Sequence, residues 1–410
     1  MKTIHAAAVA AALLLTPNDM AAAQDKAAQD KTVRIGVLTD LSSLYSDITG
    51  AGSILAAEMA VELSGLRQKG WKIEIVSSDH QNKADVGSNI ARQWYDTEGV
   101  DVIVDVPNSA VALAVSNLTR DKNRVFLNAG AATSDLTDRS CTPNTVHWSF
   151  DTYMLAHGTG SGMTKAGGDT WFFIAADYAF GASLERDTSA VVTALGGKVL
   201  GSVRHPPNLQ DYSSLMLAAQ ASKAKVIGLA NGGGDTINSV KQAKEFGIVQ
   251  GGQKLSPLLM FITDVHALGL PIAQGLTFTE SFYWDLNDGA RQFSKAFASR
   301  GRNKAMPTMA QAGVASSLIH YLKALDAMGA NSHDGAAIVA KMKEMPTDDP
   351  LFGAGRVRAD GRKIHPAYLF EVKTPAESKG PWDYYKLVAT IPAEEAFLDI
   401  AKSKCPLVAK

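Results

Sequence analysis

Two short loops hold the residues best suited to chemistry, both rich in hydroxyl, amide and small side chains. The first, Pro107-Asn108-Ser109, follows the apolar run Val100–Val106 and precedes a helical pattern near Ala110–Thr119. Ser109 is placed to cap that helix, whose N-terminus also suits an anion. The second, Asn128-Ala129-Gly130-Ala131-Ala132-Thr133-Ser134-Asp135, follows the run Val125–Asn128. Its backbone N–H groups and the Thr133 hydroxyl suit a carboxylate beside Ser109; ordinary capping and turn chemistry would explain the same residues.

Enzymatic signatures are missing. Gly158-Thr159-Gly160-Ser161-Gly162 lacks nucleophile-elbow spacing. Ser222 and Lys225 fall in S-x-x-K register only at a helix–strand corner, and the nine histidines include no H-E-x-x-H. His147, His157 and His205 are expected at the surface or behind a site. The loop Thr39–Tyr45 after the first strand has no glycine, which argues against a dinucleotide. Gly232-Gly233-Gly234 lacks the Lys-Ser/Thr of a P-loop and reads as a tight turn or close backbone approach. The expectation is no enzyme, no metal and no cofactor.

Alternating strands and helices must position these loops. Val33–Leu38 reads as a buried strand, and Ile54, Ala57 and Val61 fall on one face of a helix. A strand at Ile73–Ile75, a helix bearing Val86, Ile90 and Trp94, and the two strands before the loops continue the pattern. It restarts with strands at Trp171–Ala175, Lys198–Val203, Lys225–Ala230 and Leu258–Phe261, separated by helices from about Ala182, Tyr212 and Thr236. Helices at Gly289–Arg300, Met309–Met328 and Gly335–Met345 follow, then strands at Tyr368–Val372 and Tyr384–Val388. This is an α/β chain with two parallel sheets, and ligands bind such sheets at the carboxyl ends of strands.

Length and charge bound the rest. The chain has 410 residues, 46% apolar, with 40 basic and 41 acidic side chains and a net charge of −1. That length allows two or three domains, and that balance argues against nucleic acid or a polybasic membrane contact. Lys2, an apolar run ending at Leu15, and Ala21-Ala22-Ala23 have the three parts of a signal peptide over residues 1–23. No cysteine follows the run, so a lipid anchor is not expected. Export permits a disulfide, and Cys141 and Cys405 would tie the tail to the first half; two free thiols are the alternative.

Taken together, the sequence resembles the type I periplasmic solute-binding proteins of ABC transporters, the Leu/Ile/Val-binding family. The matching segments are Ile35-Gly36-Val37-Leu38-Thr39, Gly50 with Ala56–Glu62, Asp79-His80-Gln81-Asn82, Val102-Ile103-Val104 with Ser109, and Ala131-Ala132-Thr133 with Leu136-Thr137. In the second half they are Asp177-Tyr178-Ala179-Phe180-Gly181 and Ala243–Ile248. The resemblance implies two Rossmann-like lobes joined by three crossings, with the ligand buried between them. Lobe 1 would comprise 32–148 and 279–348, and lobe 2 149–278 and 349–400. It implies that Ser109, Ala131 and Thr133 hold a ligand carboxylate, with Ala132 as a substitute because the loop spacing differs by one. Phe180, or Tyr178, would lie over the ligand, and Asp264 would take an ammonium group. A tyrosine common before Asp235 is replaced by Asn231-Gly232-Gly233-Gly234, which is expected to enlarge the pocket while Asn231 and Asp235 add polar groups. Tyr45 and Phe282-Tyr283-Trp284 offer rings for stacking, or for core and hinge packing.

The function implied is the periplasmic component of an ABC importer, a monomer that captures an amino acid or an aromatic or other organic acid and hands it to a membrane permease. A ligand-sensing module of the same fold is an alternative, and an exported α/β enzyme a more distant one.

Overall fold

The computed structural model describes residues 30–408; the expected signal peptide, residues 1–23, lies outside the described residues. Near-continuous apolar runs give strands buried on both faces, as a parallel sheet requires. The first sheet contains β1 (Thr32–Thr39), β2 (Lys72–Asp79), β3 (Val102–Asp105), β4 (Val125–Asn128) and β5 (Thr145–His147), in the order β2-β1-β3-β4-β5. All its pairings are parallel. The connecting helices are α1 (Gly50–Ser64), α2 (Ala84–Asp96) and α3 (Ser109–Asp121). Gly36 in β1 has a steric reason: a Cβ there would lie 2.5 Å from the Trp94 ring of α2. Asp105 pairs with Asn128 at the ends of β3 and β4. The two loops singled out above therefore leave the sheet side by side.

The chain then crosses to a second body. Asp151 caps α4 (Thr152–Leu155), accepting from the Met154 N–H at 2.8 Å. The helix runs through a π turn, Ala156–Gly160, into α5 (Ser161–Lys165). The second sheet is also parallel, ordered β7-β6-β8-β9, from β6 (Thr170–Ala176), β7 (Lys198–His205), β8 (Val226–Ala230) and β9 (Lys254–Pro257). Its helices are α6 (Ala179–Ala194), α7 (Ser213–Ser222), α8 (Gly234–Glu245), α9 (Ile262–Leu268) and α10 (Leu270–Ala273). One expected strand is displaced. Leu258–Phe261 is the loop after β9, and its apolar character reflects burial of that loop.

β10 (Thr277–Glu280) leads back across the molecule to α11 (Asp288–Arg300), α12 (Met309–Met328) and α13 (Gly335–Glu344). The lobe boundary expected at 278/279 falls inside this strand. α12 begins with a capping box, Thr308 with Gln311, and packs along α1 in the first body. A third crossing brings short β11 (Arg356–Val357) and β12 (Lys363–Ile364), then β13 (Ala367–Val372), β14 (Tyr385–Ile391) and α14 (Ala393–Ala396). β10, β13 and β14 form an antiparallel sheet, with Phe278 opposite Phe370.

Buried polar groups tie the crossings together. The Arg362 guanidinium is fully buried, donates to the Trp148 carbonyl at 2.5 Å and lies 3.5 Å from Asp151. Burial pushes it down to about 10, with Asp151 opposing the fall. Cys141 and Cys405 form a disulfide, joining the tail to the segment before β5.

Candidate functional site

The site begins where β3 ends. Asp105 and Val106 both have positive φ, 86° and 57°, and turn the chain into Pro107. The helix cap is Asn108 rather than Ser109. Asn108 is extended, and its side-chain oxygen accepts from the Ala110 and Val111 N–H groups at 2.9 and 3.2 Å. Ser109 is thereby the first helical residue, and its Oγ accepts from the Thr133 N–H at 3.2 Å. One hydrogen bond thus joins the two strand-end loops.

Within the second loop, neighbouring residues face opposite ways. Ala131 is buried in the cluster holding Val106 and Leu136, and its carbonyl receives the Asn128 amide at 2.8 Å. Ala132 lines the cleft instead. Thr133 Oγ1 is 2.8 Å from Ser183 Oγ on α6 of the opposite body. Next to it, Ser134 Oγ donates to Asp187 Oδ2 at 2.7 Å, and Arg186 pairs with Asp135 at 3.1 Å. The hydroxyl loop is therefore braced against α6.

Tyr45 comes from the loop after β1. Asp40 shapes that loop by accepting from the Tyr45 and Ser43 N–H groups, both at 2.8 Å, and from the Asn82 amide at 2.5 Å. The Tyr45 hydroxyl meets the Tyr178 hydroxyl across the cleft. Burial pushes both phenols up, so both keep their protons at neutral pH.

Between the bodies lies a narrow, tightly closed cleft. The first body contributes Tyr45, Ile48, Pro107, Gly130 and Ala132; the second contributes Tyr178, Phe180, Leu259 and Phe261. None of these side chains is charged. A neighbouring, roomier cavity has a mixed lining in which Ser43, Asp47, Asn208 and Asp264 supply the polar groups. Asp264 opens on this second cavity and not on the aromatic one. Its Oδ2 accepts from the Phe261 N–H at 3.0 Å, and burial, with Asp47 adding repulsion, pushes the carboxyl up to about 7.

Two expectations need correction. Asn231 is directed into the second body: its amide contacts His205 Nε2 at 3.1 Å and Ser239 Oγ at 2.9 Å, and Thr236 donates to it at 2.9 Å. Asp235 accepts from the Asn208 N–H at 3.2 Å and lines neither cavity. The glycine triplet lets the Tyr45 loop approach closely, and Gly233 and Gly234 line the neighbouring cavity rather than the aromatic one. A Cβ on Gly233 would lie 2.6 Å from the Leu44 carbonyl oxygen. Of the offered rings, Tyr283 stacks on Tyr385 at 4.6 Å, so that segment packs the hinge.

Sequence reasoning missed Ile48, Leu259, Phe261 and Ser183. Leu259 and Phe261 were hidden in an apolar run read as strand, and Ser183 lies inside a helix with no local signal. Among the described residues no His/Cys/Asp/Glu group could hold a metal ion, and no helix is long and apolar enough to cross a membrane.

Two parallel-sheet bodies with three crossings, closed over a carboxyl-end cleft, define a class, and comparison with known proteins agrees. The periplasmic binding protein family matches residues 32–381, and the chain belongs to it, among the type I solute-binding proteins of ABC transporters. A periplasmic binding protein from Burkholderia mallei is 50% identical over 92% of this chain and 99% of its own, with a TM-score of 0.89. A branched-chain amino acid ABC transporter periplasmic ligand-binding protein from Burkholderia xenovorans LB400 is 38% identical over 92% of this chain and 99% of its own, with a TM-score of 0.81. A solute-binding protein of an R. palustris ABC transporter, in complex with 4-hydroxybenzoate, shares the fold at 21% identity and a TM-score of 0.80, covering 90% of this chain and 99% of its own.

Proposed function

We propose that this protein is an exported, non-enzymatic capture component of an ABC importer, and that its ligand is a small carboxylate with an aromatic body. In this reading residues 1–23 direct export, and the loaded monomer docks on a membrane permease. The observation that carries the ligand class is the cavity lining: four aromatic side chains, no charged one, and the Ser109 and Ala132 loops at one end. A buried carboxylate needs hydrogen-bond donors, and a helix N-terminus with hydroxyls supplies them without a full opposing charge. Closure then excludes water and strengthens each bond. The R. palustris protein with bound 4-hydroxybenzoate supports the aromatic choice.

A second reading, an α-amino acid, is favoured by Asp264, which would receive an ammonium group from the neighbouring cavity. The B. xenovorans relative, by its name, points the same way. Calorimetric titration of protein unfolded, dialysed and refolded, with 4-hydroxybenzoate, benzoate, leucine and isoleucine, separates the two. Binding of the aromatic acids is expected. Binding of the amino acids alone would establish the second reading, and binding of none would overturn both.

A further inference from the structure

Asp105 is a buried acid that the binding scheme above does not use. Its side chain is fully buried, and neither carboxyl oxygen has a hydrogen-bond partner among the described residues. Its backbone is held at φ 86° with Val106 at 57°, two successive non-glycine residues in the left-handed region. Gly130 closes the space beside it: a Cβ there would lie 2.6 Å from Asp105 Oδ1 and 2.8 Å from Pro107 Cα. Gly130 and Pro107 both line the aromatic cavity. The carboxyl therefore stands directly behind the wall against which the anion is expected to lie.

The groups around it compensate only in part. The Thr39 hydroxyl of β1 and the buried Ser53 hydroxyl of α1 favour the ionised form, and the Asp40 carboxylate, just past β1, opposes them. From the β4 loop the Ala129 and Gly130 N–H groups bond the Asp105 main-chain carbonyl and not its side chain. No lysine, arginine or histidine acts on it. Burial, with Asp40 adding repulsion, pushes this carboxyl up to about 7.

We propose that Asp105 is a proton-linked determinant of affinity: it carries its proton when an anionic ligand lies against the Gly130–Pro107 wall, so capture of the ligand takes up a proton. This rests on the reading that the ligand is a carboxylate. An ionised Asp105 would repel the anion across one glycine in a water-poor site, and by reciprocity the bound anion raises the acid's affinity for its proton. Affinity then falls as pH rises. The cleft phenols stay protonated throughout, so among the groups lining the cleft only Asp264, pushed to a similar range, competes as the source.

The test is titration with 4-hydroxybenzoate at about pH 6 and about pH 8, in wild type, Asp105→Asn and Asp264→Asn. Asparagine tolerates positive φ, so the first variant is expected to fold. Each pKa unit gained on binding is a tenfold fall in affinity. Wild type and Asp264→Asn should weaken by about three- to tenfold between these values, while Asp105→Asn stays flat. A flat wild type, or an unchanged slope in Asp105→Asn, would overturn the inference. A ligand-free arm separates this from the choice of ligand. An acid whose pKa is raised by folding contributes stability that is lost as pH rises from about 4 to about 7. The melting temperature of wild type should therefore fall relative to Asp105→Asn over that window. If 4-hydroxybenzoate does not bind at all, the ligand reading fails. Parallel melting curves would then still overturn the role of Asp105, and diverging curves would support its raised proton affinity.

Discussion

Asn108 and Ser109 share one helix N-terminus and divide its work. Asn108 spends its side chain on the Ala110 and Val111 amides, which leaves the Ser109 hydroxyl to meet Thr133. If these hydroxyls grip the ligand carboxylate, each hydrogen bond to the charge is worth about 1.5–3 kcal/mol. The double variant Ser109→Ala/Thr133→Ala should weaken an anionic ligand by at least about tenfold. Unchanged affinity in calorimetry would remove both residues from the site. The sequence made these loops visible because strand ends in a parallel sheet are marked by hydroxyl and amide residues after apolar runs. It could not say which of Ala131 and Ala132 faces the cleft. That depends on how the Asn128 side chain and His147 hold the Ala131 carbonyl, a contact between residues 16 apart.

At the scale of elements, the Tyr45 loop closely approaches the start of α8, and closure is expected to depend on that fit. Gly233 has φ 60° and lies beneath the Leu44 carbonyl oxygen. Gly233→Ala would strain the backbone by about 1 kcal/mol or more and push the two loops apart. The expected result is an affinity loss of about tenfold or more, with little loss of the compaction seen by small-angle scattering in the ligand-free protein. Gly247→Ala is the control, since Gly247 also has positive φ, at 66°, but lies far from the cleft in open surroundings. An equal affinity loss in both variants would show that strain, not closure, is responsible. The glycine triplet was plain in the sequence, but a missing side chain does not reveal what occupies the space. Most strands and helices were legible from periodicity and turn residues. The exception, Leu258–Phe261, carries the composition of a buried strand while serving as a loop.

At the scale of the molecule, Cys141–Cys405 closes a loop spanning 264 positions. Reduction, or replacement of both cysteines by alanine, should cost about 2–5 kcal/mol of stability, read as a lower melting temperature. Neither cysteine lines a cavity, so affinity for the ligand should be unchanged. A fall in affinity on reduction would mean that the tail restrains the cleft. The disulfide was suggested by the two cysteines, and the two-body plan by the pattern that restarts after the middle of the chain. How the crossings support one another was not, because Trp148, Asp151 and Arg362 meet only in three dimensions.

That meeting has a mechanical consequence. Arg362, on the third crossing, grips the first through the Trp148 carbonyl and Asp151. β13, which follows the third crossing, is zipped to β10, which leads into the second. With all three strands of chain lashed together, independent sliding or twisting of the two halves is expected to be hindered. The expected motion is a turn about a single axis, like a book with a stitched spine. The opening angle then becomes the one coordinate of the motion, and a single pair of labels across the mouth would follow it from start to finish.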